Sequence, residues 1–431
     1  MKDIAHGLEG IVVAETALSH VDGERGELII AGARVDALSG QRRFEEVAAA
    51  LWAAGNEGGS RAPRRGAERT LHARGAEHAT HDDGAERTLH ARGAEHATHD
   101  EGADRTMHGG RAARDGGEAY TTRHDARAPR APAVGAATLL GQARVEAFAR
   151  LSTLGSALEL ADGMDALRAA VAQLPSSLDA VHVTAAVGVF AAAWSRRQAG
   201  LSPLAPDPTL PHALDVLRMI KGEANPVLGD ALDAYLVAVI DHGMNASTFT
   251  ARVIASTQSD LVSAVTGALG ALKGPLHGGA PGPVLDMLDA VQRPENAELW
   301  LRGELDAGRR VMGMGHRVYK VRDPRAAVLE RAVERLEQHG VSSPRLTLAR
   351  AVEQVATRVL AQRYPDRSLQ ANVEFYTAVL LDTVGLPRTL FTPMFAVGRV
   401  AGWCAHVAEQ RATGRLIRPE SRYVRRMPAA R

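Results

Sequence analysis

Two histidines that each lie among glycines are the side chains best placed for chemistry in this sequence. His277 lies in the motif LKGPLHGGA (272–280), and His316 lies in GMGHRVYKVRDPR (313–325). Because glycine has no side chain, a substrate can approach such an imidazole closely while the second ring nitrogen hydrogen-bonds to backbone. Glu374, in the later motif NVEFY, adds a carboxylate. We therefore take these three residues as candidates for acid–base catalysis.

Local structure offers another explanation for each of these residues. Gly and Pro around His277 could simply end a helix, although packing alone explains a histidine in such a turn poorly. A carboxylate such as Glu374 near a helix start is commonly a capping or dipole contact. Around His316, Gly313 and Gly315 could let a phosphate- or adenine-bearing ligand lie against backbone N–H groups. The motif is neither a dinucleotide-binding nor a P-loop pattern, because no strand precedes it and no Gly-Lys-Ser/Thr follows.

Three arginines and one more histidine complete the candidate set. Arg399 lies in the apolar run FAVGRVAG, where an unpaired charge would be costly. Its partner is either a bound carboxylate or a structural Asp or Glu, and the sequence leaves both open. Taken alone, Arg325 resembles a surface arginine at a helix start, and Arg418 part of a basic tail. His242 could be a core histidine or a ligand donor, and without context the core interpretation is favoured.

The composition of the chain excludes several classes of protein. With 431 residues it can hold two or three domains and a large core. A formal net charge of +1 does not indicate binding to nucleic acid or to an acidic membrane surface. Cys404 is the single cysteine, so we expect no internal disulfide and a cytoplasmic location. We also expect no export, and no apolar run approaches the ~20 residues of a membrane span.

Periodicity and composition predict a mainly α-helical fold with a small β hairpin near the N-terminus. Two β-type runs, Gly10–Val13 and Glu27–Ile30, flank the turn-forming sequence Asp22–Gly26. A helix is expected around Phe44 to Ala54. After Ala136 apolar residues recur at steps of three or four, which is typical of helices. Aromatic residues make up only 4% of the chain, which favours closely packed helices over sheets.

Two later segments carry more specific predictions. Ser343 followed by Pro344 indicates an N-cap and the first residue of a helix. The segment Thr248–Lys273 reads as long and helical, and its Ala, Ser, Thr and Gly residues would let neighbouring helices approach closely. No strand pattern is sustained after residue 35.

A repetitive segment interrupts this pattern between residues 57 and 135. The sequence GAERTLHARGAEHATH (66–81) recurs unchanged at 84–99, and a decayed third copy begins at Gly102, which gives a period of 18 residues. The segment has almost no large apolar residues, so it cannot bury enough surface to order itself, and we expect disorder. Its His-x5-His-x2-His spacing could bind a metal. A recently duplicated insertion without chemistry is the preferred interpretation.

Taken together and in this order, the motifs resemble those of the citrate synthase family, in particular bacterial-type citrate synthase and its close relative 2-methylcitrate synthase. The resemblance runs through nearly the whole chain outside the insertion. Besides the two histidine motifs it includes GLEGIVVAET (7–16), DGERGELI (22–29), LAPDP (204–208), DHGMNASTF (241–249), FTPMF (391–395), RVAGW (399–403) and RLIRP (415–419).

The resemblance implies an all-helical fold of two domains that works as a homodimer. Residues 1–277 would form the first part of a large domain and would contain the insertion at 57–135. Residues 278–386 would form a smaller domain that closes over substrate, and residues 387–431 would complete the large domain. The segment Thr248–Lys273 would belong to the subunit interface. The insertion falls where the family has a short connection between helices, and a long surface loop costs little stability.

The resemblance also implies a role for each candidate residue. Glu374 would remove a proton from the methyl group of acetyl-CoA, and His277 would stabilise the enolate oxygen. His316 would polarise the carbonyl of oxaloacetate and protonate the new hydroxyl. The planar guanidinium group of arginine suits carboxylates. The residues implied for binding oxaloacetate are His242, Arg325, Arg399 and the Arg418 of the partner subunit. The residues implied for binding CoA are Gly313, Gly315 and Arg317. No metal or cofactor is implied, since acetyl-CoA is a substrate.

Two departures from the family pattern keep other functions open. The base position usually carries aspartate, and the extra methylene of Glu374 moves the carboxylate by about 1 Å, a displacement that can cost ~100-fold in rate. We expect the backbone to compensate. Citrate is the expected product, with 2-methylcitrate from propionyl-CoA as the alternative, because one methylene discriminates weakly. The glutamate and the repeat together also allow a weakly active, synthase-like protein whose His-rich insertion binds a metal or a partner.

Overall fold

The computed structural model describes residues 6–8, 10–57, 133–278 and 281–423. All of them belong to one compact unit, Met1–Ala62 with Arg127–Arg431, and the second unit, Pro63–Ala126, lies outside the described residues. The predicted disordered insertion therefore lies outside them as well, except for Glu57 and residues 133–135, which are helical. The division into a large and a small domain stays a prediction, because the described residues group as a single unit.

Fifteen α-helices occupy most of the described residues, which confirms the mainly α-helical prediction. In chain order they are α1 (Val35–Leu38), α2 (Phe44–Glu57), α3 (Ala133–Ala149), α4 (Gly163–Val171), α5 (Ala180–Gln198), α6 (His212–Lys221), α7 (Pro226–Val239), α8 (Ala246–Ser256), α9 (Leu261–Leu272), α10 (Pro281–Val291), α11 (Ala297–Asp306), α12 (Pro324–Gln338), α13 (Pro344–Arg363), α14 (Val373–Val384) and α15 (Phe391–Thr413). Within the described ranges, none of these helices is long and apolar enough to cross a membrane.

A small antiparallel sheet precedes the helices, with strand order β1 (Ser19–Asp22), β2 (Glu27–Ile30), β3 (Ala33–Arg34). The predicted strand at Glu27–Ile30 and the turn before it are confirmed, but the strand at Gly10–Val13 is wrong. The turn after β1 determines which residues pair with β2. Asp22 Oδ1 accepts hydrogen bonds from the backbone N–H groups of Glu24 and Arg25, at 3.0 and 2.9 Å. The residues immediately before this turn must therefore pair with β2.

Side-chain caps begin several of the helices that carry the candidate site. Asn245 caps α8, Asp323 caps α12 and Asn372 caps α14, each by accepting a hydrogen bond from a backbone N–H of the first turn. Helix α13 begins at Pro344 as predicted, but Ser343 makes no side-chain cap, because its hydroxyl hydrogen-bonds to Thr383 Oγ1 instead.

Helix α15 lies in the middle of the core and packs against α2, α5, α7, α8 and α9. Small residues allow this close packing. A Cβ atom at Gly402 would overlap the backbone oxygen of Ile240, and one at Gly398 would lie 2.6 Å from Val239 Cγ2. The end of α7 and the residues after it are therefore held directly against the face of α15 that carries Arg399.

The segment Thr248–Lys273 forms two helices, α8 and α9, where one long helical segment was expected. Gln258 adopts a positive φ of 67°, which interrupts the helix, and Asp260 then caps α9 by accepting from Ser263 N at 2.9 Å. The two helices pack against each other, so the small residues serve at least this intramolecular contact. Their predicted place in a subunit interface stays a prediction.

Candidate active site

Two of the candidate histidines meet in an aromatic cluster in which His242 is buried and His316 is half-buried. The ring centroids of His242, just after α7, and His316, in the loop before α12, lie 5.4 Å apart with the rings edge to face. Tyr319 completes the cluster: its hydroxyl lies 3.2 Å from His242 Nε2, and its ring centroid is 4.8 Å from that of His316. Burial lowers the pKa of His242 well below its ordinary value, and the Arg325 charge lowers it further. His242 is therefore neutral at neutral pH.

His316 is held as a neutral imidazole with a defined tautomer. Its Nδ1 accepts hydrogen bonds from the backbone N–H groups of Val318 and Tyr319, at 3.0 and 3.1 Å. An Nδ1 that accepts two hydrogen bonds carries no proton, so the proton of the neutral ring is on Nε2. Burial lowers the pKa of His316 to about 4, and the Arg325 charge contributes. Nε2–H can therefore donate a hydrogen bond throughout the neutral range.

Backbone hydrogen bonds join the His316 loop to the start of α14. Gly315 N donates to Gln370 O at 2.7 Å, Asn372 N donates to Gly313 O at 2.9 Å, and Asn372 Nδ2 donates to Gly315 O at 2.9 Å. Gly313 and Gly315 adopt positive φ angles of 74° and 86°, a conformation that favours glycine. These glycines therefore have a structural reason to be present, whether or not they also contact CoA.

Glu374 lies in the first turn of α14, directly after this junction. Its backbone N–H donates to Asn372 Oδ1 at 3.0 Å, so the cap fixes the position of its Cα. Its side chain is 8% exposed, and Oε2 is buried without a hydrogen-bond partner among the described residues. Burial raises the pKa of Glu374 to about 8, although Arg325 and Arg399 oppose the rise. An acid of this kind can hold or release a proton near neutral pH.

His277 is held through Nε2 at the N-terminal end of α8. Nε2 lies 2.8 Å from Ser247 Oγ and 3.4 Å from Ser247 N, and Trp403 Nε1 donates to the same hydroxyl at 3.1 Å. The ring packs edge to face with Phe395, with centroids 6.4 Å apart. Burial lowers the pKa of His277 to about 4, and Arg399 adds to the effect. His277 is thus a third neutral imidazole that shares its electrostatic surroundings with Arg399.

Arg325 has a built-in carboxylate partner, which makes its charge a fixed part of the site. Its Nε and Nη2 donate to the two oxygens of Asp323 at 3.0 and 2.7 Å. Asp323 Oδ2 also accepts from Val373 N at 3.1 Å, which links Arg325 to the start of α14. Burial alone would lower the pKa of Arg325, but Asp323 more than offsets this and raises it.

Arg399 is buried on α15 without such a partner. Its Nε donates to Val239 O at 2.6 Å, and its Cζ lies 4.8 Å from the centroid of the Phe395 ring. Among the described residues, no carboxylate lies within 4.0 Å of it, and burial lowers its pKa to about 10. The alternative of a structural ion pair for Arg399 is therefore not realised in the described part of the chain. A buried guanidinium in this state favours a bound anion.

Comparison with known proteins identifies the family. The family model described as citrate synthase, C-terminal domain, matches residues 7–101 and 118–420. The chain belongs to the citrate synthase family. The citrate synthase of Haloferax volcanii is 34% identical over 423 residues, which is 98% of this chain and 96% of that protein.

Other relatives match less of the chain or only its fold. A Mycobacterium tuberculosis (strain H37Rv) protein, provisionally named citrate synthase 2, is 52% identical over 204 residues. That match spans 47% of this chain and about half of that relative, 53%. The crystal structure of citrate synthase from Thermotoga maritima has a TM-score of 0.72 and 28% identity, covering 99% of this chain and 98% of that one. The expected citrate synthase-like helical fold is thereby confirmed.

Not every candidate residue joins the cluster in this citrate synthase-family chain. Arg418 is exposed in the segment after α15, and Arg317 is exposed in the His316 loop. Neither side chain makes a hydrogen bond or ion pair with another described residue. Their proposed roles, toward a partner subunit and toward CoA, need partners that a single chain lacks.

Four further residues support the site and were not among the candidates from sequence. Tyr319 contacts both His242 and His316, Asp323 binds Arg325, Ser247 holds His277, and Asn372 joins the His316 loop to the start of α14. Each lies inside a quoted motif, and the Asp-Pro and Asn-Val pairs carry the composition of helix caps. Only Asp323 and Asn372 therefore had a recognisable local signal.

The site as a whole combines three neutral imidazoles, a protonatable acid and one arginine without a carboxylate partner among the described residues. This combination suits the binding of an anion together with proton transfer. Among the described residues, no cluster of His, Cys, Asp and Glu has the make-up of a metal site.

Proposed function

We propose that this chain is an active citrate synthase that joins acetyl-CoA to oxaloacetate and, with water, releases citrate and CoA. The observation that carries the proposal is the proximity of two buried groups: Glu374, whose Oε2 has no hydrogen-bond partner among the described residues, and Arg399, which has no carboxylate partner among them. The two act on each other electrostatically, so they share one environment. The reaction needs both a base for a weak carbon acid and a site for a dicarboxylate.

Oxaloacetate would be held by charge and by hydrogen bonds from buried side chains. Arg399 would bind one carboxylate, because its guanidinium has no acidic partner among the described residues. Arg325 would contribute a second positive charge whose orientation is fixed by Asp323. His242 would donate a further hydrogen bond from its place beside Tyr319. The Arg418 of a second subunit would complete the set, which makes a homodimer part of the proposal.

The carbon–carbon bond would form through an enolate of acetyl-CoA. Ionised Glu374 would take a proton from the methyl group, and neutral His277 would donate a hydrogen bond to the enolate oxygen. The enolate carbon would then attack the carbonyl carbon of oxaloacetate while His316 Nε2–H donates to the carbonyl oxygen and protonates it. The depressed pKa values of both histidines suit donors that stay neutral. Water would then hydrolyse the thioester of citryl-CoA, and this chemistry uses no metal or additional cofactor.

Closure of the predicted small domain over the predicted large one would keep water away from the enolate. CoA would lie along Gly313, Gly315 and the exposed Arg317, in the loop that carries His316. We propose a cytoplasmic location, because a sequence with a single cysteine suits a reducing compartment.

A two-substrate assay tests the proposal directly. Purified protein is mixed with oxaloacetate and acetyl-CoA, and loss of the thioester's ultraviolet absorbance is followed; propionyl-CoA replaces acetyl-CoA in a parallel arm. We expect turnover that requires oxaloacetate and is faster with acetyl-CoA. Faster turnover with propionyl-CoA would make the chain a 2-methylcitrate synthase. Folded dimer without turnover in either arm would overturn the proposal in favour of a synthase-like binding protein.

Glu374→Gln and Glu304→Gln provide a matched pair of variants for the same assay. Glu374→Gln keeps the shape of the side chain but removes the base, so turnover should fall by ~100-fold or more. Glu304, on α11, forms a surface ion pair with Arg309, which follows that helix, so its replacement should leave turnover unchanged. Equal activity of the two variants would show that Glu374 is not the base.

A further inference from the structure

A buried acid beside the proposed substrate arginine is held away from it by hydrogen bonds. Asp241 directly precedes His242, and its side chain is completely buried. Its Oδ1 lies 3.1 Å from His406 Nε2, and its Oδ2 accepts a hydrogen bond from Ser19 Oγ. Both carboxylate oxygens are therefore occupied by groups that are not arginine.

The geometry defines the tautomer of His406. Arg252 Nε donates to His406 Nδ1 at 3.0 Å, so Nδ1 accepts and the proton of the neutral ring is on Nε2. His406 Nε2–H then donates to Asp241 Oδ1. Arg252 is fixed in turn by Glu409 and by Gln410 Oε1, the latter at 3.0 Å from Arg252 Nη1. The ring of His406 is thus held from both sides.

Helix α15 brings these groups together on one face. Arg399, Gly402 and His406 follow one another at steps of three and four residues, so they lie along the same side of the helix. A Cβ at Gly402 would lie 3.2 Å from Asp241 Oδ1, which places the carboxylate between the positions of Arg399 and His406. Arg399 itself reaches the backbone oxygen of Val239, two residues before Asp241.

Arg399 and Asp241 act on each other without forming an ion pair. Asp241 is the largest charge that favours the protonated form of Arg399, yet no contact within 4.0 Å joins them among the described residues. Burial opposes ionisation of Asp241, but the hydrogen bonds from His406 and Ser19 and the charge of Arg399 lower its pKa below the ordinary value, so Asp241 is an anion at neutral pH. An anion this near would otherwise be the natural partner of the arginine.

We propose that His406 is a positioning residue that occupies Asp241 and so keeps Arg399 available for a carboxylate of the substrate. The proposal rests on the proposed function, because it assumes that oxaloacetate binds at Arg399. It predicts that loosening Asp241 lets it compete with oxaloacetate for the guanidinium. The substitution should therefore weaken the binding of oxaloacetate and change the KM for acetyl-CoA little.

Four variants test this role. His406→Leu removes both hydrogen bonds of the ring and should raise the KM for oxaloacetate by about tenfold or more, the factor of one hydrogen bond to a charged group. The KM for acetyl-CoA should change by less than about threefold. His406→Gln offers an N–H for Asp241 and an oxygen for Arg252, so it should restore most of the affinity. Combining His406→Leu with Asp241→Asn removes the competing charge, so the KM for oxaloacetate of this double variant should be lower than that of His406→Leu alone. Ser19→Ala, a milder change, should raise the KM in the same direction.

A matched control separates positioning from general damage to the core. His212 is completely buried, its ring nitrogens have no partner among the described residues, and it stacks on Phe44, with ring centroids 5.2 Å apart. His212→Leu should leave the KM for oxaloacetate unchanged. If His406→Leu proves too unstable to purify, Ser19→Ala carries the test, and an unchanged KM for oxaloacetate in that variant would overturn the proposal. A KM unchanged in Ser19→Ala and His406→Leu, or a double variant worse than His406→Leu alone, would overturn the proposal.

Calorimetric titration with oxaloacetate alone keeps this test separate from the proposed activity. If the wild-type chain binds oxaloacetate but produces no CoA, the proposed activity fails, and the order of affinities among the variants still decides the role of His406. If the wild type binds no oxaloacetate, Arg399 is not a carboxylate site and this inference fails too.

Discussion

Replacing Glu374 by glutamine should make the protein less active and, above neutral pH, relatively more stable. The pKa of Glu374 is raised from its ordinary value of 4.5 to about 8 by burial, with Arg325 and Arg399 opposing. A base must be ionised to accept a proton, and an acid with a pKa of about 8 is only about one-tenth ionised at pH 7. The turnover of the wild type should therefore rise by at least about fivefold between pH 7 and pH 8, and by up to about tenfold if bound oxaloacetate raises this pKa further.

The same pKa has the opposite consequence for stability. Between about pH 4.5 and pH 8 the unfolded chain has lost the proton of Glu374 while the folded chain keeps it. The folded state binds more protons there, so its stability falls as the pH rises. From pH 6 to pH 8 this one group costs at most about 2 kcal/mol. Glu374→Gln has no proton to lose, so its stability should not show this decline.

Two measurements check this reasoning. Initial rates at saturating oxaloacetate, followed by thioester absorbance, give the pH dependence of turnover without a pH-sensitive thiol reagent. Melting temperatures of wild type and Glu374→Gln at one protomer concentration, at about pH 6 and pH 8, give the stability difference. We expect the melting temperature of Glu374→Gln to rise relative to that of the wild type between about pH 6 and pH 8. Parallel changes of melting temperature in both proteins, or turnover that does not rise toward pH 8, would refute the assignment of Glu374 as a buried, titrating base.

Three further substitutions have defined outcomes. Glu374→Asp shortens the base by one methylene and should lower kcat by up to ~100-fold with little effect on the KM for oxaloacetate; a higher kcat would mean that the native glutamate is misplaced. Arg399→Lys keeps the charge but loses the planar fork, so steady-state kinetics should show a KM for oxaloacetate about tenfold higher. Asp323→Asn leaves Arg325 buried without its carboxylate, which should cost about 3–5 kcal/mol and show as a lower melting temperature. An unchanged melting temperature would show that Arg325 is solvated.

The local features of the chain could be predicted from sequence because local rules govern them. Helix starts at Pro324 and Pro344 follow from residues that favour caps and first turns. Glycines at 313 and 315 adopt the positive φ that only glycine adopts easily. The error at Gly10–Val13 has the same origin, since β-branched residues favour a strand but cannot choose its partner. In this hairpin the side chain of Asp22 set the turn and with it the register.

Features that join distant parts of the chain could not be predicted in this way. His406 and Asp241 are 165 residues apart, and Ser19 is 222 residues from Asp241. The sequence showed that Arg399 needs a partner, but it could not show that Asp241, the acid with the strongest electrostatic effect on Arg399, is already hydrogen-bonded to other groups. Such pairings depend on how α15 packs against the end of α7, which only the folded structure displays.

We expect oxaloacetate bound at the proposed site to change the basicity of Glu374. Arg325 is compensated by Asp323, whereas Arg399 has no carboxylate within 4.0 Å among the described residues, and both lower the pKa of Glu374. An oxaloacetate dianion placed against these arginines would offset their charge, so the pKa of Glu374 would rise above its value in the empty site. A carboxylate with a higher pKa is a stronger base, so once ionised it would remove the methyl proton more readily. Bound oxaloacetate would thereby make the ionised form of Glu374 a stronger base toward acetyl-CoA, while the neutral His277 and His316 would keep their protons ready to donate.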